Sequence, residues 1–155
     1  MDYIKHIRSL VGQEKVIMVV AGAFVFDKDN RLLLQQRTDS GSWGLPGGFM
    51  ELGETVQETA RREVFEETGL RLGELNLFGL YSGPKYEKTF SNGDQVYMVL
   101  VLFTCNDYDG ELVKSNEESL KNTFFPINNL PENLFVDHQE FFDDLLANKE
   151  KPIIR

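Results

Sequence analysis

Between Gly48 and Leu70 the chain reads GFMELGETVQETARREVFEETGL, and no other stretch limits what it can become as strongly. Six glutamates lie from Glu51 to Glu67, and the pattern from about Thr55 to Thr68 is that of a helix, with Gly69 placed to end it. At about 100° per residue, Glu63, Glu66 and Glu67 share one face, and Val56, Ala60 and Val64 fall beside them. The acids therefore overlap the apolar stripe that must face a core, whereas a merely solvated helix sets them opposite it. Like charges at such spacing cost about 0.2–0.5 kcal/mol per pair, and crowded carboxylates raise one another's pKa unless a cation compensates. Two readings follow. Hard oxygen ligands in this arrangement suit Mg²⁺ or Mn²⁺; alternatively, Arg61 and Arg62 neutralise the acids as a salt-bridged face.

The preceding loop, TDSGSWGLPGG, bears on that choice. Glycines let backbone groups approach a ligand closely, and a helix N-terminus favours anions. Carboxylates beside such a loop are an arrangement for metal and phosphate together. The remaining chain reads as strands: 16–27, then 31–37 after the turn KDN as a hairpin partner, then 75–83 and 95–105, with GELV and NTFFPI as two shorter ones. Residues 135–148 carry apolar positions at helical spacing and read as a packing helix, while 1–15 form a short helix or arm. Strands alternating unevenly with helices make this an α/β or α+β domain.

At 155 residues, 41% hydrophobic and 26% charged, the chain reads as one domain, residues 1–155. A net charge of −9 without a basic stripe argues against long nucleic acid as a partner. No apolar run approaches the roughly 18 residues of a membrane span. With no secretion signal and a lone Cys105, a reducing cytoplasm is the expected location.

The fixed residues also match a known pattern. Gly48, Glu54, Arg62, Glu63, Val64, Glu66, Glu67, Gly69 and Leu70 meet every specified position of G-x5-E-x7-R-E-U-x-E-E-x-G-U, where U is apolar. The segment 48–70 thus resembles the Nudix box. The likeness extends to LLLQQR and WGLPGG upstream and FFPINNLP downstream, covering roughly residues 16–131. It implies an α/β/α sandwich around a mixed sheet, and hydrolysis of the diphosphate linkage in a nucleoside diphosphate joined to a group X.

Carried over residue by residue, the resemblance makes Glu63, Glu66 and Glu67 metal ligands, with the Gly47 carbonyl as a further one. It makes Glu54 and Arg62 a structural pair beside Gly48. Water must lose its proton to a carboxylate or bind a metal; the base is a box glutamate or a later acid, Glu118 being favoured over Glu117. Arg37 is a candidate for a substrate phosphate and Tyr86 for stacking on a base. Trp43 lines a nucleoside pocket or packs beneath the loop, and Lys85 and Lys88 bind phosphate or are simply solvated. His6 and His138 are set aside as non-catalytic. The segment 79–94 holds both Pro84 and Tyr86, markers of different substrates in relatives. Three functions follow: an ADP-ribose or nucleotide-sugar pyrophosphohydrolase, a nucleoside triphosphate pyrophosphohydrolase that cleanses nucleotide pools, or a non-catalytic nucleotide sensor. A homodimer is compatible with the apolar residues of the N-terminal arm.

Overall fold

Val16–Val25 is apolar at nearly every position, and a strand of that kind needs neighbours on both edges and cover on both faces. The computed structural model, which describes residues 2–115 and 119–155, supplies all four. In chain order the elements are α1 (Tyr3–Val11), β1 (Val16–Val25), β2 (Arg31–Arg37), β3 (Trp43–Gly44), β4 (Gly47–Phe49), α2 (Val56–Thr68), β5 (Arg71–Leu72), β6 (Asn76–Tyr81), β7 (Glu87–Thr89), β8 (Gln95–Cys105), β9 (Tyr108–Asp109), β10 (Ser119–Pro126), α3 (Gln139–Ala147) and β11 (Ile153–Ile154).

β1 runs parallel to β8 from Val16↔Val96 to Val25↔Cys105, and antiparallel to β4 on its other edge. β6 and β7 pair antiparallel with β8, and β11 adds parallel to β6, making a mixed six-stranded sheet. A second, antiparallel sheet has the order β10–β2–β3.

Alternation along the strands creates two cores. Ala21, Ala23 and Val25 of β1 pack with Ala60 and Val64 of α2, together with Val101, Phe103 and Cys105 of β8. On the opposite face, Phe24, Leu100 and Leu102 pack with Phe141 and Phe142 of α3. Phe24 and Phe78 are fully buried with ring centroids 4.6 Å apart, each burial contributing roughly 1.5–3 kcal/mol. The result is the α/β/α sandwich that the resemblance implied.

Three local expectations change, and a fourth, the N-terminal arm, resolves to one of its two readings. β1 and β2 do not form a hairpin: past the single bridge Phe26↔Leu32, β2 leaves for β10, because β8 and β4 already occupy both edges of β1. GELV (110–113) is not a strand; the short pairing falls one step earlier, between β5 and β9. The helix expected over 135–148 starts at Gln139, after a 3-10 turn at Val136–His138. The arm 1–15 contains a true helix, α1, capped by the Asp2 side chain and closed by Gly12.

Candidate active site

The box segment is built by caps and close contacts. Thr55 caps α2 by accepting from the Glu58 N–H, and Gly69, at φ 80°, takes the left-handed conformation that ends the helix. Gly48 leaves room for a functional side chain: a Cβ there would lie 2.3 Å from Glu63 Cδ. The Glu63 carboxylate therefore rests directly on the β4 backbone.

Arg62 organises the acids. Its Nε and Nη2 donate to the two carboxylate oxygens of Glu54 at 2.6 and 2.9 Å, and Nη2 also reaches the Phe49 carbonyl at 3.0 Å. Its Nη1 donates to Glu63 at 2.8 Å and to Glu66 at 3.4 Å. Glu54 accepts further from the Glu51 N–H and the Thr59 hydroxyl. The Arg62 guanidinium, aided by these donors, holds the Glu54 carboxyl down to about 2, and Glu54 and Glu63 push Arg62 up in turn. Arg61 instead donates to the carbonyls of Leu72 and Gly73.

Glu67 Oε1 accepts the Gly47 N–H at 2.9 Å, while the Glu66 side chain is 56% exposed. Among the described residues no three His, Cys, Asp or Glu side chains close around a common point. Glu63 and Glu66 share the Arg62 Nη1 donor, whereas Glu67 is held by the Gly47 N–H. Their chemistry nevertheless fits a hard divalent cation: every available ligand is a carboxylate or carbonyl oxygen, with Arg62 and a glycine N–H orienting them.

Glu67, Gly47 and Gly48 border a cleft of about 610 Å³. Its lining also includes Arg37, Phe135, His138 and Phe141, together with Phe49, Phe90, Met98 and Leu100. Lys88–Asp137 and Lys85–Glu140 ion pairs tie the 84–89 segment to the α3 side. Both lysines thus have protein partners. Arg37 is bound to Asp39 through two hydrogen bonds and stacks 4.0 Å over Phe135. Tyr86 lies against Phe141, centroids 5.7 Å apart and nearly parallel, and donates its hydroxyl to Glu140. It borders the cleft, but it is 5% exposed and that ring contact is already made. Trp43 packs edge-on against Phe125 at 4.8 Å, outside the cleft. Glu117 and Glu118 lie outside the described residues.

Two cleft residues had no role assigned from sequence. His138, set aside there, accepts the Leu45 N–H at Nδ1 over 3.1 Å. Gln35, in mid β2, is 7% exposed and borders the cleft. Neither has a motif; tertiary pairing alone brings them together.

The NUDIX domain model matches residues 16–145. The chain belongs to the Nudix family. It is similar to the ADP-ribose pyrophosphatase of Methanocaldococcus jannaschii, 36% identical over 128 residues, covering 81% of this chain and 71% of that one. The human 8-oxo-dGDP phosphatase is 34% identical over 125 residues, covering 77% of this chain but 35% of that protein. Among solved structures, the mutator MutT protein of Bacillus halodurans superposes with a TM-score of 0.68 at 30% identity, covering 83% and 82% of the two chains. Nudix membership makes this chain a hydrolase of phosphorus-containing anhydrides. No helix among the described residues is long and apolar enough to cross a membrane.

Proposed function

We propose that this Nudix protein hydrolyses the diphosphate linkage of an ADP-ribose-type nucleoside diphosphate derivative. The observation that carries the reading is the cleft: its lining joins the box backbone and Glu67 to aromatic and apolar side chains, and its volume is within the range of small-molecule sites. Similarity to an ADP-ribose pyrophosphatase over most of the chain supports the same substrate class.

In this reading Glu63, Glu66, Glu67 and the Gly47 carbonyl hold Mg²⁺ or Mn²⁺. The cation supplies charge neutralisation for the diphosphate oxygens and a more acidic water. The chain's own residues do the rest. Arg62 keeps Glu63 and Glu66 oriented and holds the Glu54 carboxyl down to about 2, so the pair that fixes the loop against α2 stays charged. Arg37 offers a planar fork to a phosphate oxygen in exchange with Asp39. A water oxygen attacks one phosphorus, its proton passes to a box carboxylate or Glu118, and the bridging oxygen leaves with the other phosphate.

The test is a nucleotide panel with Mg²⁺ or Mn²⁺ and product identification. ADP-ribose should give AMP and ribose 5-phosphate. Pyrophosphate release from triphosphates, with ADP-ribose untouched, would replace this reading by nucleotide pool cleansing. Tight binding without any hydrolysis would replace it by sensing. Unchanged turnover in Glu118→Gln would return the base to the box.

A further inference from the structure

β2 lies between β10 and β3, and its register sets three polar features in a row. Gln35 is directly opposite Asn122 on one side and Gly44 on the other. Directly opposed residues of an antiparallel pair project to the same face, and adjacent strands are about 4.8 Å apart. Asn122 anchors the row to the box helix, donating through Nδ2 to the Glu67 carbonyl at 3.0 Å. At the far end Gly44 has no side chain, and His138 takes the space: a Cβ on Gly44 would lie 2.9 Å from His138 Nδ1. Gln35 thus sits in the row between Asn122, which holds the Glu67 carbonyl, and the imidazole.

Both central groups border the cleft with hydrogen-bonding capacity unused. Gln35 is only 7% exposed, and its amide, which has no hydrogen-bond partner among the described residues, opens to the cleft. His138 accepts the Leu45 N–H at Nδ1, so its proton resides on Nε2, a donor with no partner among the described residues. Packing against Phe135 and Phe141 fixes the ring.

We propose that Gln35 and His138 form a subsite for a ribose hydroxyl of the nucleotide, next to the diphosphate, and so determine preference for ribo- over deoxyribonucleotides. The chemistry favours a hydroxyl over a phosphate. A hydroxyl both donates and accepts, matching the carbonyl and N–H₂ of the amide and the N–H of the ring. A phosphate only accepts, and would want the cationic fork of Arg37 rather than a neutral imidazole. Burial, with Arg37 nearby, holds His138 down to about 3, keeping it neutral. This inference rests on the nucleotide-hydrolase reading for its ligand class, and it cuts between ribonucleotide derivatives and deoxynucleotides as substrates.

The test is calorimetric binding of ADP, 2′-deoxy-ADP and 3′-deoxy-ADP to the wild type, Gln35→Met and His138→Asn. Asn can accept the Leu45 N–H as Nδ1 does while lacking the Nε2 donor, and Met approximates Gln in size without its polar atoms. The wild type should bind ADP about tenfold more tightly than one of the deoxy analogues, and each variant should reduce that ratio to within about twofold by losing affinity for ADP. A wild type without preference, without nucleotide binding, or variants that weaken all three ligands alike would overturn the subsite. Hydrolysis of nucleotide derivatives with a flat preference would leave the proposed activity standing while removing the subsite. A clear preference without hydrolysis of any substrate would do the reverse.

Discussion

Replacing Glu54 by glutamine removes the anion at the centre of the Arg62 network while keeping its size and shape. Folded, the Glu54 carboxyl is held at about 2 against an ordinary 4.5, chiefly by its hydrogen bonds from Arg62. At 1.36 kcal/mol per pH unit, that difference is about 3 kcal/mol of stability. The side chain is 16% exposed, so salt screens little of it. Because the folded value is depressed, the contribution is fully present above pH 4.5 and is lost as pH falls from about 5 towards 2. The substituted amide has no proton to gain, so Glu54→Gln lacks this dependence. Urea unfolding of both proteins at several pH values between about 7 and 2.5 isolates the effect, since the other carboxylates cancel in the difference. The variant should be less stable by about 2–3 kcal/mol at pH 7, and the gap should narrow to below about 1 kcal/mol at pH 2.5. A gap that stays constant with pH, or one under about 0.5 kcal/mol at pH 7, would show that Arg62 is not held by this charge.

Three further outcomes are expected. Glu66→Gln and Glu67→Gln should each lower kcat by at least about a hundredfold with melting temperature nearly unchanged, measured by steady-state assay and thermal unfolding; retained turnover would remove them from the metal set. Gly48→Ala places a Cβ 2.3 Å from Glu63 Cδ, so Glu63 must move; the concentration of Mg²⁺ giving half-maximal activity should rise about tenfold or more in a metal titration. Asp144→Asn acts elsewhere: the 2% exposed residue accepts from Tyr81 and twice from Arg155, so unfolding should become easier by about 2–3 kcal/mol while kcat/KM stays within about twofold.

The parts legible in sequence were those whose cause is local. Helix α2 announced itself through Thr55, the apolar spacing of Val56, Ala60 and Val64, and Gly69, all within one segment. The strands β1, β2 and β8 were legible as apolar runs, but their partners were not. The turn KDN suggested that β1 and β2 stay together, whereas the parallel register of β1 with β8 depends on residues far away in the chain. Arg62 shows a subtler limit. Its backbone position lies on the side of α2 away from Glu67, yet its long side chain swings back to Glu54 and Glu63, a reach that angular phase cannot express. Gln35 and His138 meet only because Gly44 opposes Gln35 and leaves its own side-chain space to the ring. One signal was nonetheless present in LLLQQR. Gln35 follows Leu32, Leu33 and Leu34, all fully buried, so it continues a strand that is covered on both faces. A polar residue at such a position needs a partner, and the described chain provides none; the ribose hydroxyl of the proposed subsite would be that partner.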